Sequence, residues 1–428
     1  MIWTLLIAPL LLFALGAPVY IVLLAAGSLT LLTVMDVPPL VIHQVIYGGV
    51  ENYALLAIPF FIFAGELMSR CGVSGRLVVW SQSALRSVRG NLGLTTICTS
   101  TLLGAVSGSS PATVAATGKT LYGDLVKDGY GRPFSLGLIA SSGSVAIVIP
   151  PSIAMILYGA SAEQSVPKLF IAGILPGLLI SAAMAAYVVI WIRRRDASVG
   201  RETTSGDSQT MRFGRATAYA AGALGMPVLV LMGIYLGFFS PTEAGGVACL
   251  YAILLARYAY KTLNWAQILE AASDSALLTG QILIILASAA VFAWVLTVLG
   301  VPQALVGWVE RAELSPLTFL LAINLLLLLL GCVIDPTSAI LVLTPILLPI
   351  VLDLGIDPIH FGIVMTVNLS IGMFTPPFGL NLFVAQSVMD AELTELYRGV
   401  VGFFIVQTLA LLAITYIPGL SLWLVNTI

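Results

Sequence analysis

Apolar runs close to the ~20 residues needed to cross a bilayer recur along the whole chain, and the informative positions are where they break. The first break falls in GAVSGSSPATVAATG, residues 104–118, which gathers serines, threonines, glycines and a proline. Glycine costs about 1 kcal/mol and proline about 3 kcal/mol relative to alanine inside a helix, so this stretch is poor helix material. An apolar piece over 91–106 precedes the small polar segment 107–113, and another runs to about 122. Each is too short to span comfortably, so the pattern predicts a re-entrant hairpin over about 91–122 with its tip at membrane depth. The polar turn KDGYGRP follows, then a helix over about 134–158 broken at Ile149–Ser152, IPPS.

The second half repeats this grammar. TPPF at 375–378 lies 226 positions after IPPS at 149–152 (376 − 150 = 226), and the same offset carries Gly129 onto Gly355 and Ser109 onto Asp335. Slightly upstream, CGVSGRLVVW matches LGVPQALVGW at an offset of 228, aligning Gly72 with Gly300 and Trp80 with Trp308. These pairings in order predict an internal repeat, with a second hairpin over about 315–349 and a second broken helix over about 361–386. Residues 1–192 form the first repeat and 216–428 the second. The polar, basic stretch 193–215 links them on the cytoplasmic side.

Charge sets the orientation. Arg70, Arg76, Arg86, Arg89, the linker, Arg257, Lys261 and Arg398 thread to one side, which the positive-inside rule makes cytoplasmic; Lys168 and Arg311 fall on the other. The first turn carries Lys127 and Arg132, whereas LDLGIDPIH in the second has no lysine or arginine. The first hairpin therefore enters from the cytoplasm and the second from outside. The expected fold is an all-α polytopic membrane protein of inverted repeats, with about ten spans, two re-entrant hairpins and two broken helices, both termini outside.

Composition agrees with a chain that spans the membrane many times. It is 59% hydrophobic and 9% charged, against the roughly 25% charge of soluble proteins. The net charge of −2 gives no sign of a nucleic-acid partner. Cys71, Cys98, Cys249 and Cys332 are scattered in apolar surroundings with no CxxC, which reads as small buried residues. The N-terminus lacks a basic n-region and is expected to be a retained span.

Four backbone breaks then converge at mid-membrane: tips Ser107–Thr113 and Gly331–Ser338, and breaks 149–152 and 375–378. Free carbonyls at helix C-termini offer oxygen to a cation, and half-helix N-termini offer partial positive charge to an anion. Hydroxyls, carbonyls and a carboxylate, with no thiolate or imidazole cluster, suit Na⁺. The expected ion ligands are Ser107, Gly108, Ser109, Ser110, Gly143, Gly331, Asp335, Thr337, Gly372 and Thr375, holding at least two Na⁺. The substrate-facing set is Ser109, Ser110, Pro150, Ser152, Thr337, Asn368, Thr375 and Pro376. Asp335 is the sharpest of these, because a mid-membrane carboxylate is costly. Its structural alternative is a hydrogen-bonding aspartate beside Pro336, just as small residues with serine also mediate tight helix packing.

Other polar residues stay open. Asn324, Asn368 and Asn381 either face the cavity or pair between helices. Glu66 with Arg70 reads as a helix-end ion pair, and Glu243 as a cap, an anchor or a substrate contact. His43 and His360 are expected in interfacial or outer segments. An intramembrane enzyme finds no support: HExxH is absent, Asp335 lacks a second deep aspartate, and no histidine is expected near Ser109. A P-loop is absent too, which removes an ATP-driven pump, and a purely structural subunit would gain nothing from such breaks. A one-component Na⁺/dicarboxylate symporter is the nearest rival.

The segments AIPFFIFAGELM (57–68), GSSPATVAATG (108–118), DGYGRPFSLGLIASSG (128–143), IPPSIAMILYG (149–159), FIAGILPG (170–177), SPTEAG (240–245), DPTSAILVLTPILLPI (335–350) and GIDPIHFGIVMTVNLSIGMFTPPFGLNLF (355–383) resemble the large membrane subunit of TRAP transporters. TRAP denotes the tripartite ATP-independent periplasmic class. Pro111 and Lys119 depart from that family's usual small or apolar residues. The resemblance implies an elevator-type transporter, not an enzyme, that couples uptake of an organic acid to a Na⁺ gradient in the bacterial or archaeal inner membrane. It implies a separate small membrane subunit of four spans and a periplasmic binding protein that delivers substrate. C4-dicarboxylates, sialic acid, other sugar acids and zwitterions such as ectoine are the substrates it suggests.

Overall fold

The computed structural model describes residues 3–35, 37–194 and 211–427. Of the expected linker, residues 195–210 lie outside the described residues. Among those described, the chain forms twenty α-helices and no strand. Six helices are long and apolar enough to cross a membrane alone, and Arg132–Val148 with Ile153–Ser161, bent by 42°, makes a seventh. Val19–Thr33, Leu40–Val50 and Pro358–Gly372 are apolar but shorter than those six.

The repeat expected from the sequence recurs in the helix boundaries. The first hairpin's arms are Asn91–Ser107 and Ser110–Lys127; the second's are Pro316–Gly331 and Pro336–Asp353. The starts at Ser110 and Pro336 are 226 apart (336 − 110), as are those of the broken helices at Arg132 and Pro358 (358 − 132). Val73–Ala84 and Val301–Arg311 start 228 apart (301 − 73), each capped by a left-handed glycine, Gly72 or Gly300. Gly129 and Gly355, in the two turns, are also left-handed, at φ +86° and +67°. A Cβ is disfavoured in that region, so these are the positions where the backbone itself asks for glycine.

Two helices sit at the centre. Every residue from Phe134 to Val148 and from Ile359 to Gly372 is buried. A helix buried all round belongs inside, and several hydroxyls on these two donate to carbonyls one turn back. Ser141 Oγ donates to the Gly137 carbonyl at 2.6 Å, and Thr366 Oγ1 to that of Gly362 at 2.7 Å. Both arms of the first hairpin pack on Arg132–Val148, as does Leu393–Tyr416, while Pro316–Gly331 packs on Pro358–Gly372. Arg132 pairs with Glu395 at 3.2 Å, joining the exposed starts of two of these helices.

A second group forms around Trp265–Val298, whose 34 residues extend about 51 Å at 1.5 Å per residue. It packs on Val19–Thr33, Leu40–Val50 and Ala57–Arg70. Arg70 ties this group at one end, 2.6 Å from Glu66 and also paired with Asp274 of the long helix. Cys71, Cys249 and Cys332 are buried and Cys98 half-buried; none forms a disulfide.

Candidate transport site

The first tip is built by a helix stop and an immediate restart. Asn91–Ser107 ends at Gly108, which is left-handed at φ +58°. A Cβ there would lie 2.9 Å from the Pro151 carbonyl oxygen, so glycine lets the tip rest directly on the first helix break. Ser109 turns extended and caps the next helix, its Oγ accepting from Ala112 N at 3.5 Å. Ser107 Oγ accepts from Ser109 N at 3.3 Å, and Thr113 Oγ1 donates to the Ser109 carbonyl at 2.9 Å. Short polar side chains thus satisfy the backbone groups that a helix end leaves open.

The second tip uses the same device with a charge. Asp335, 226 positions after Ser109 (335 − 109), caps Pro336–Asp353 by accepting from Ser338 N at 3.0 Å. Its carboxylate also accepts from Ser338 Oγ at 2.6 Å and from Thr337 Oγ1. Proline stands in the first turn after the cap in both cases, Pro111 two residues after Ser109 and Pro336 directly after Asp335, where its missing N–H does no harm.

The breaks complete the set. Ile149 is extended, Pro150–Pro151 is a cis pair, and buried Ser152 caps the outgoing half by accepting from Met155 N at 3.4 Å. In the second break Thr375 Oγ1 donates to the Ile371 carbonyl at 2.8 Å, and half-buried Pro376 forms a cis pair with Pro377. Both tips, with residues that flank the two breaks, line one cavity of about 170 Å³. Gly108, Ser109 and Ser110 come from the first tip and Asp335 and Thr337 from the second. Ile147 and Ile153 flank the first break, Met373 and Leu380 the second, and Ile282 of the long helix closes a side.

Other residues of the expected set stand elsewhere. Gly143, Gly331 and Gly372 sit at close helix crossings. A Cβ on Gly143 would lie 3.1 Å from the Ser110 carbonyl oxygen, and one on Gly331 would lie 3.2 Å from Gly372 Cα. Asn368 is buried and donates to the Asn324 carbonyl at 3.0 Å and to Asn324 Oδ1 at 2.9 Å. Ser107, Pro150, Ser152, Thr375 and Pro376 belong to the tips and breaks but are not among the cavity-lining residues.

The sequence of residues 6–420 matches the family profile of the tripartite ATP-independent periplasmic transporter, DctM component. The chain belongs to that family. It is similar to the C4-dicarboxylate TRAP transporter large permease DctM of Pseudomonas aeruginosa, at 41% identity over 88% of this chain and 87% of that one. It is 35% identical, over 98% of both chains, to the ectoine/5-hydroxyectoine large permease UehC of Ruegeria pomeroyi. The solved structure of Neisseria gonorrhoeae MtrF shares the fold, with a TM-score of 0.64 at 13% identity over 95% of this chain and 94% of that chain.

As a TRAP large permease, the protein is a multi-pass inner-membrane transporter and not an enzyme. It serves secondary solute uptake together with a small membrane subunit and a periplasmic binding protein. Two features of this permease escape sequence reading. Asn381 Nδ2 reaches Ser110 Oγ at 2.8 Å and donates to the Ala140 carbonyl at 2.9 Å, stitching the second broken helix to the first hairpin. Gln407 likewise binds the first broken helix, accepting from Ser144 Oγ at 3.1 Å and donating to the Ser141 carbonyl at 3.0 Å. Polar residues isolated in apolar runs were the available signal; their partners were not. His360, expected near an interface, is buried with Nδ1 2.7 Å from Ser421 Oγ.

Proposed function

We propose that this permease couples inward movement of a small organic anion to at least two Na⁺ ions by an elevator motion. The observation that carries the reading is the single cavity lined by both tips and by residues flanking both breaks, with Asp335, Thr337 and the first-tip hydroxyls on its wall. One ion is assigned to Ser107–Ser110 with the 143–152 break, and the other to Gly331–Thr337 with the 373–377 break. Carbonyl, hydroxyl and carboxylate oxygens are hard donors, which suit an alkali cation. Binding there neutralises Asp335 and satisfies tip carbonyls, lowering the cost of carrying a polar site past an apolar neighbour.

None of the cavity-lining residues is lysine or arginine. An anionic substrate would then be held by hydroxyls, helix N-termini and the bound ions. The name of the 41%-identical relative favours a C4-dicarboxylate. The same absence of lining cations favours, as a second reading, a zwitterion of the kind named for the Ruegeria relative. Each net charge moved inward through 100 mV contributes about 2.3 kcal/mol.

The hairpins and broken helices form the moving body, and the helices around Trp265–Val298 the scaffold. Gly65 of the scaffold supports this division: a Cβ there would lie 3.1 Å from Ser107 Cα, so a bare backbone faces the tip. Both termini lie outside and the small subunit contributes four spans. The test is uptake by proteoliposomes that hold both membrane subunits, with binding protein outside and a dicarboxylate or ectoine offered under an imposed Na⁺ gradient. Uptake that persists unchanged when choline replaces Na⁺ would reject the coupling. Cross-links that fix the moving body to the scaffold yet leave uptake intact would reject the elevator.

A further inference from the structure

The second tip has another face. Asp335, Pro336 and Thr337 look into the transport cavity, whereas Val333, Ile334, Ala339 and Val342 line a different crevice of about 390 Å³. Its opposite wall is formed by the N-terminal helices Ala8–Ala14 and Val19–Thr33, represented by Phe13 and Val22. Every lining residue is apolar except Ser338, and the Ser338 hydroxyl is already donated to Asp335 Oδ1 at 2.6 Å. The crevice is not sealed, for Leu10 is 61% and Val333 49% exposed.

These properties narrow the occupant. A cavity with no free polar group does not hold water, and for the same reason it rejects an ion or a hydrophilic solute. A hydrocarbon chain is thin, apolar and abundant around a multi-pass membrane protein, and lipid tails match leucine in polarity. We propose that this crevice binds one acyl chain of a bilayer lipid, wedged between the N-terminal helices and the back of the second hairpin. The chain packs beside Val333 and Ile334, immediately before Asp335, and so buttresses the tip from the side opposite the solute.

The experiment uses the permease with its small subunit, reconstituted in phosphatidylethanolamine carrying a mid-chain diazirine, photolysed and mapped by mass spectrometry. Adducts in 330–343 and 9–23 should exceed, several-fold, those on Leu321 and Leu325, which are exposed on the preceding arm. Val342→Phe fills the crevice from the hairpin and Val19→Trp from the opposite wall. Each should remove most of these adducts while leaving those on Leu325 unchanged, which also reports that the fold is intact. Adducts no denser than on Leu321 and Leu325, or undiminished in both filled variants, would overturn the proposal.

Discussion

Ser110 Oγ lies 2.8 Å from Asn381 Nδ2 and 3.0 Å from Asn381 Oδ1, although the two residues are 271 positions apart. Both are fully buried. The contact binds the first hairpin to the second broken helix beside the cavity between the two tips, so a buried polar joint links the two halves of the chain.

Replacing Asn381 by alanine strands the buried Ser110 hydroxyl without its partner and removes the extra bond to the Ala140 carbonyl. Each buried polar group left unpaired costs about 1–3 kcal/mol. Thermal unfolding of the purified protein should show the loss. Asn381→Ala with Ser110→Ala should destabilise by clearly less than the sum of the single changes, because both remove one joint. Strict additivity would mean that the two side chains are not coupled.

Asp335→Asn separates structure from charge. Asparagine caps a helix about as well as aspartate, so the second hairpin should keep its stability. The negative charge offered to a cation is gone. Half-saturating Na⁺ for uptake should rise roughly tenfold or more, about 1.4 kcal/mol of lost binding, in proteoliposomes titrated with Na⁺. An unchanged Na⁺ response would remove Asp335 from the ion site.

Gly372→Ala tests the helix crossing. The added methyl would sit 2.6 Å from the Gly331 carbonyl oxygen, against backbone that has little room to yield. Overpacking of this kind costs about 1–3 kcal/mol, so thermal stability should fall. Gly307→Ala is the control, since its Cβ would meet nothing within 4 Å. Equal melting temperatures for the two variants would contradict the close approach.

Glu243 closes a capping box with Ser240, and hydrogen bonds from the Ser240 backbone and side chain hold its carboxyl below the usual carboxylate range. The folded state therefore binds this proton less readily than the unfolded chain. Its contribution is complete above the unfolded value of about 4.3 and fades as pH drops through the lower folded value. Glutamine retains the box but does not titrate. The stability of the wild type should thus decline relative to Glu243→Gln on acidification, as followed by thermal unfolding at stepped pH. Parallel curves would exclude the linkage.

What the sequence made legible is what the backbone demands of particular side chains. Gly72 and Gly300, Gly129 and Gly355, and Ser109 and Asp335 can be read because a left-handed turn or a helix cap accepts few residue types. Both proline pairs mark their breaks because proline has no N–H to give a helix and its ring clashes with the preceding turn. Partnership was illegible. Nothing in an apolar run reveals that Asn381 meets Ser110, or that Asn368 meets Asn324, since hydrogen bonding across helices has no periodicity. Glycine was ambiguous in another way: Gly331 could free a carbonyl for an ion or admit Gly372, and the sequence is identical in either case. The apolar crevice behind the second tip left no sign, because the residues that frame it look like any lipid-facing surface.

The register of the two repeats makes that joint a lone survivor. Carried over by 226 positions, Ser110 becomes Pro336 and Asn381 becomes Met155 (110 + 226; 381 − 226). Neither side chain can donate a hydrogen bond, so the mirror image of the contact has no chemistry. The duplicated units are no longer interchangeable: one hairpin is anchored to its neighbour by an amide, while its twin is free of that particular tether.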